Sequence, residues 1–434
     1  MLLINGKKFK ISSLQCAILT FVIIGGCITL KINTDFIMLT YCALMCIIMT
    51  ITEVYSFLAF LLPLAATFNA PYVWLALLII LLLRRKKLNV TTLIISIIII
   101  SQEILAHCLY GVSDFNRMIG YLITVILFVY LINDSYEDII NYRQCLKSFV
   151  LGVSVLFALY MFNVYMEKGG LFVRQLILGS VRFGGTAADT FSEIAIQLNA
   201  NTIAYYSITA IACILTLFRN VENRIIVKFF YSISLIECVL IGALTISRSW
   251  FLVAILCGFM YMLSCSVDPT RFLKRSIVII GLAVIAFCLL TTNTTILDSF
   301  YLRFQGASVE TAGGRTTITK QYMDVFLNND AFFFLGAGVT DYSLVMNQAM
   351  SLHMGVIQLF CCMGILVAPV FIANLVAPII KASKKRVRLV YWIPIIVVII
   401  FTQTIQFLNP YMLMLPYAIG VYALRMGSEF EELH

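Results

Sequence analysis

The chain is poor in charge. Only 12% of its 434 residues are Asp, Glu, Lys or Arg, while 62% are hydrophobic. Soluble domains are about a quarter charged and about half apolar. An ordinary soluble enzyme is therefore excluded, as are a disordered chain and a nucleic-acid binder. Thirteen cysteines are present, but no disulfide framework is implied. Twelve lie in or beside apolar runs, Cys145 lies in a charged connector, and the two longest polar loops hold none. Cysteine pairs with histidine partners are missing, which removes a zinc site. Walker, GxSxG and redox motifs are also absent. No outside segment carries a DxD, ExD or paired-carboxylate motif of the kind that would hold Mg²⁺ or Mn²⁺. No metal or other cofactor is expected, and any phosphate chemistry falls to arginines. No internal repeat is visible, which weakens a transporter made of duplicated halves.

Long apolar runs are what the sequence does have. Mean hydropathy is +0.99. Fourteen apolar segments can be marked, at 14–30, 36–52, 54–69, 71–83, 91–110, 118–132, 148–166, 201–218, 229–246, 250–267, 276–292, 352–376, 389–407 and 411–425. A ~30 Å hydrocarbon core needs about 20 helical residues. The pairs 54–69/71–83 and 389–407/411–425 are short enough to be either tilted hairpins or single broken helices. The expected fold class is all-α: one polytopic membrane domain over 1–434 with 12–14 spans. Lys7, Lys8 and Lys10 precede the first run and no small-residue cleavage site follows it, so that run is read as a membrane helix rather than a signal peptide.

Alternating the spans from a cytoplasmic N-terminus places 21 of the 30 Lys and Arg residues in inside connectors. This is the bias of positive-inside retention, and it sets both termini in the cytoplasm. Two outside segments are long, 167–200 and 291–351, and loops of that size are usually functional. In the second, the stretch Thr316 to Asn328 places Ile318, Tyr322, Val325 and Phe326 on one helical face. The sequence predicts an amphipathic helix on the outer leaflet, followed by a turn at Gly336-Ala337-Gly338 that lets backbone approach a ligand closely.

Seven side chains stand out. Arg248, in Ser247-Arg248-Ser249, sits between apolar runs on the outer side. It is either a functional charge at membrane depth or a snorkelling side chain. Arg315 follows Gly313-Gly314 at a helix start, where backbone N–H groups, the helix dipole and a guanidinium can cradle an anion. His353 opens the helix after the second loop and can accept a proton near neutral pH. Arg174 and Arg182 occupy the first long loop, as anion holders or as solvated charges. Glu103 and Glu237 lie within apolar helices, either hydrogen-bonded in the bundle or facing a cavity.

Three stretches together resemble the O-antigen ligase/polymerase superfamily of bacterial envelopes. They are Ser247-Arg248-Ser249-Trp250, then Gly314-Arg315 with Gly336-Ala337-Gly338 twenty residues later, then His353 with Gly364 eleven positions on. The likeness covers about residues 200–376. In the ligases the histidine is usually followed by Asn, Ser or Gln, whereas here Met354 follows. That departure, and two basic outside loops, favour a polymerase. The resemblance implies a multi-pass protein of the bacterial inner membrane. It would be a glycosyltransferase joining oligosaccharide repeat units carried on undecaprenyl diphosphate into O-antigen or capsular polysaccharide, without metal and with inversion. It implies His353, Arg315 and Arg248 as catalytic residues, and Arg174, Arg182, Gly314, Gly336 and Gly338 as substrate-binding ones. A chain-length-regulating co-polymerase is a possible partner, alongside membrane lipid. The alternatives are a ligase passing polymer to lipid A–core and a lipid-linked oligosaccharide flippase.

Overall fold

A computed structural model describes residues 3–4, 7–8, 12–30, 54–65, 79, 89–111, 115–133, 141–177, 183–184, 198–219, 225–264, 273, 315–348, 350–408 and 414–432. Among the described residues the elements are helical apart from a two-residue ladder that pairs Leu3–Ile4 with Lys7–Lys8. In chain order the helices are α1 Ser13–Thr29, α2 Val54–Ala65, α3 Val90–Tyr110, α4 Phe115–Asn133, α5 Tyr142–Ile177, α6 Ala200–Arg219 and α7 Ile225–Leu244. They continue as α8 Arg248–Ser264, α9 Arg315–Leu327, α10 Asp330–Leu335, α11 Tyr342–Val345, α12 Gly355–Ser383, α13 Leu389–Thr402 and α14 Leu415–Glu432. Six of them, α3 to α7 and α12, are long and apolar enough to cross a membrane. The chain is an all-α, multi-pass membrane protein.

Lipid and core are told apart by burial rather than by hydropathy. The apolar window of α6 is 78% buried and that of α7 only 17%. Both are apolar because lipid and protein interior select the same side chains. Ile226, Phe229, Phe230, Ile233 and Ile236 of α7 are exposed, while Tyr205, Tyr206, Ile208 and Cys213 of α6 are fully enclosed. Helix α5 is the central post, packed on α1, α2, α6 and α14. Its approach to α2 depends on Gly152, where a Cβ would fall 2.2 Å from the Phe60 carbonyl oxygen. Small residues at such crossings let backbones meet.

Several boundaries differ from the sequence reading. Helix α5 does not stop at 166. It bends at Gly169 (φ 78°) and stays helical to Ile177, taking in the start of the first long loop. Phe172 and Val173, beyond the bend, pack against the core and so favour the extra turns. Helix α12 runs seven residues past its expected end and is broken inside, at Gly364 (φ 66°). The ambiguous pair at 389–407/411–425 is two helices, α13 and α14. The turn after α13 is held by Gln358: its Nε2 donates to the Leu408 carbonyl (3.0 Å) and its Oε1 accepts the Leu408 N–H (3.1 Å). The expected spans 36–52 and 276–292, and nearly all of 71–83, lie outside the described residues.

The bundle has two unlike ends. At one, Arg425 bonds the Ile132 carbonyl at the close of α4. Thr216, near the end of α6, donates to the Val390 carbonyl at the start of α13 (3.0 Å). Lys381, Lys385 and Arg425 gather there around one cleft. At the opposite end lie the turn before α8, the docked segment 315–354 and the far end of α13. Ser247 meets Asn201 at the start of α6 (3.4 Å), Tyr205 of α6 stacks on Phe401 of α13 (5.4 Å), and Gly355 abuts the Thr402 carbonyl. This chain of contacts puts Arg248 and His353 on the same end.

Candidate functional site

The site is built from a broken helix and the loop that repairs it. Breaking α12 at Gly364 removes the helical partners of the Cys361 and Cys362 carbonyls, and buried backbone groups must be satisfied. The loop after α10 supplies the donors: Ala337 N–H to Cys361 O and Gly338 N–H to Cys362 O, both 2.9 Å. Such pairing needs backbones nearly in contact. A Cβ on Gly336 would lie 2.3 Å from the Cys362 oxygen, and one on Gly364 would lie 2.3 Å from the Phe334 oxygen. Both residues also have positive φ, 75° and 66°, the region open to glycine without steric cost. Gly338, also at positive φ, turns its bare side toward Ala106 and Glu103 of α3. The close approach permitted by Gly336 and Gly338 is thus of protein to protein.

Helix α3 fastens this repair. Glu103, 2% exposed, accepts the N–H of Val339 (2.8 Å), the N–H of Thr340 (3.0 Å) and the Thr340 hydroxyl (2.7 Å). Beside it Gln102 Nε2 donates to the Leu335 carbonyl (3.0 Å) and the Cys362 carbonyl (2.9 Å). A buried carboxylate is tolerable when hydrogen bonds replace its lost water. Glu103 is therefore hydrogen-bonded in the bundle. So is Glu237, which accepts from the Ser154 hydroxyl at 2.6 Å. The sequence marks Glu103 as an anomaly in an apolar helix but gives no sign of its partners.

Helix α9 then docks onto the stretch that carries His353. Tyr322 and Phe326 form its buried face. The Tyr322 hydroxyl donates to the Met350 carbonyl (2.8 Å), and the Thr319 hydroxyl donates to the Met354 sulfur (3.1 Å). Phe326 meets Phe333 of α10 with ring centroids 5.5 Å apart. The amphipathic helix exists where the periodicity places it, but its apolar face is turned onto protein. The reason is that Met350–Met354 and α10 supply both apolar surface and hydrogen-bond acceptors.

Arg315 is the first residue of α9 and His353 adjoins Met354, so the Thr319–Met354 contact draws the two into one neighbourhood. Burial, and secondarily the charge of Arg315, hold the His353 imidazole below its ordinary pKa of 6.5. Both effects favour the neutral side chain. Its Nδ1 is buried and, among the described residues, has no hydrogen-bond partner. A neutral imidazole beside a guanidinium can take a proton from a hydroxyl while the guanidinium meets an anion.

Arg248 is the first residue of α8 and is half-buried. The turn before it is strained: Ile246, a β-branched residue, has φ 49°, which costs of order 1–3 kcal/mol. Surrounding bonds hold it there. The Thr245 hydroxyl donates to Gly242 O (2.6 Å), and the Phe183 N–H donates to Leu244 O (3.1 Å). Trp250 Nε1 donates to Ser207 Oγ (3.1 Å) and Ser207 donates on to Cys238 O (2.7 Å). Arg174 is exposed on the last turns of α5. Arg182 and Gly314 lie outside the described residues, although Phe183, next to Arg182 in sequence, packs on Tyr160 with centroids 4.9 Å apart. Among the described residues no group of three or more His, Cys, Asp or Glu side chains is placed to hold a metal ion.

The chain matches no family model and no curated protein.

Proposed function

We propose that this protein is a membrane glycosyltransferase of the polymerase kind. It would join oligosaccharide repeat units carried on a polyprenyl diphosphate, at the outer face of a bacterial inner membrane. The observation that carries the reading is the pairing of Arg315 with a neutral, partly buried His353, on the end of the bundle opposite Lys381, Lys385 and Arg425. Positive charge is retained on the cytoplasmic side, so that opposite end faces outward.

In this mechanism His353 takes the proton of an acceptor sugar hydroxyl. The freed oxygen attacks the anomeric carbon of the donor from the face opposite the phosphate. The bond between that carbon and the phosphate oxygen breaks, and its electron pair leaves on the diphosphate. Inversion follows from the direction of attack. Arg315 and Arg248 stabilise the diphosphate as its charge grows, each contributing roughly 10²–10³ in rate. The base contributes about 10²–10⁴. Polyprenyl diphosphate is released, and the glycan is one unit longer.

The test is to replace Arg248, Arg315 and His353 singly with alanine and supply a defined lipid-linked repeat unit. Wild-type protein extends it, and each variant loses extension by at least about a hundredfold. Normal chain growth by all three variants ends the proposal. Transfer of finished polymer to a lipid A–core acceptor, without chain growth, identifies a ligase instead.

A further inference from the structure

The opposite end of the bundle holds a second feature. A cleft of ≈ 50 Å³, open to the surface, lies between the ends of α12 and α14 and the start of α5. Lys381, Lys385 and Arg425 line it together with Tyr142, Ser428 and one acid, Glu429. Among the described residues that line it, three are cations and one is an acid. Helix α12 loses its apolar character here, in the run Lys381-Ala382-Ser383-Lys384-Lys385-Arg386. The cleft therefore sits at headgroup depth. Trp392 on the neighbouring α13, half-buried with its Nε1 on the Val387 carbonyl (3.2 Å), marks the same interfacial level.

We propose that this cleft binds the phosphate of an anionic phospholipid. A basic pocket between membrane helices at the anionic leaflet suits such a headgroup, and each Lys or Arg near the surface contributes attraction. The lipid's acyl chains remain in the bilayer, so the phosphate is delivered at high local concentration. A free phosphate has the same chemistry without that advantage, so the lipid is the favoured source. This site is independent of the glycosyl-transfer reading.

The experiment titrates detergent-purified full-length protein with phosphatidylglycerol, phosphatidylcholine or inorganic phosphate, and follows thermal unfolding and native mass spectra. Phosphatidylglycerol is expected to raise the unfolding midpoint and to remain bound. The exposed Lys381 and half-buried Lys385 can be changed without cutting the core. The double variant K381Q/K385Q should weaken apparent lipid affinity roughly 30-fold, about fivefold for each charge. K384Q removes an equal charge from an exposed residue outside the cleft and should bind as wild type does. Equal effects of phosphatidylglycerol and phosphatidylcholine overturn the proposal. So does saturation by inorganic phosphate at the same concentrations, or a loss in K384Q matching that of the double variant.

Discussion

Arg248 and Arg315 each begin a helix on the same end of the bundle, yet they are placed by different means. Arg248 follows a turn tied to near neighbours in sequence, with Thr245 bonded to Gly242 and Ile246 forced to φ 49°. One distant helix, α6, steadies it through Ser207 and Asn201. Arg315 heads a helix that bonds across longer separations, through Thr319 and Tyr322 to Met354 and Met350, and packs on the nearby α10 through Phe326 and Phe333. Behind those stand Glu103 and the broken helix α12. A charge on a stiff hairpin is fixed when the two helices pack. A charge on a docked loop helix exists at the site only while the docking lasts. Under the proposed function, the difference suits a fixed anchor for a lipid diphosphate at one arginine and a closable cover at the other.

The largest effect that separates the two arginines is in the pH profile. In the proposed mechanism the active form of His353 is neutral, so activity should fall as pH drops through its pKa, which lies below 6.5 in the intact site. Arg315→Gln should cut the rate by about 10²–10³ and also move the acid limb upward toward 6.5, because the charge that lowers His353 is gone. Arg248→Gln should cut the rate comparably and leave the limb in place. Rate–pH profiles of the two variants check this, and equal limb shifts would erase the distinction.

Next comes the fastening of the loop. Glu103→Gln turns one oxygen acceptor into a donor facing the N–H groups of Val339 and Thr340. A loss of about 2–3 kcal/mol is expected, read as a lower unfolding midpoint and faster proteolysis within 336–354. Cleavage near 245–250 should not change. The reciprocal lesion is smaller. Trp250→Phe removes the bond to Ser207 and should cost about 1–2 kcal/mol, with the acid limb unmoved. The smallest effect is expected at Arg117, which is 62% exposed and bonds Asp341 at 3.0 Å. Surface pairs contribute little, so Arg117→Ala should shift stability by under about 1 kcal/mol, near the error of a melting measurement.

Much of the architecture can be read from the chain. Apolar length gives α3, α4, α6 and α7 nearly to their ends, and a four-residue spacing finds the buried face of α9 through Tyr322 and Phe326. The misread end of α5 has a physical cause: Gly169 bends the helix without ending it, and a glycine at a bend reads the same in sequence as one at a terminus. Of the candidate residues, Arg315 and His353 come together. Gly336 and Gly338 turn out to serve contacts within the protein. Arg174 stands exposed at the end of a helix that the sequence had assigned to a loop.

By itself, the sequence determined that the chain crosses a membrane many times as helices, because transfer of apolar side chains and the need to satisfy every backbone group leave few other options. It also determined which helices carry a misplaced charge. Only the tertiary structure decided what each charge meets. Glu103 and Val339 are 236 positions apart, and no periodicity links them. Their pairing comes from the break at Gly364, which exposes two carbonyls, and from a glycine loop thin enough to reach them.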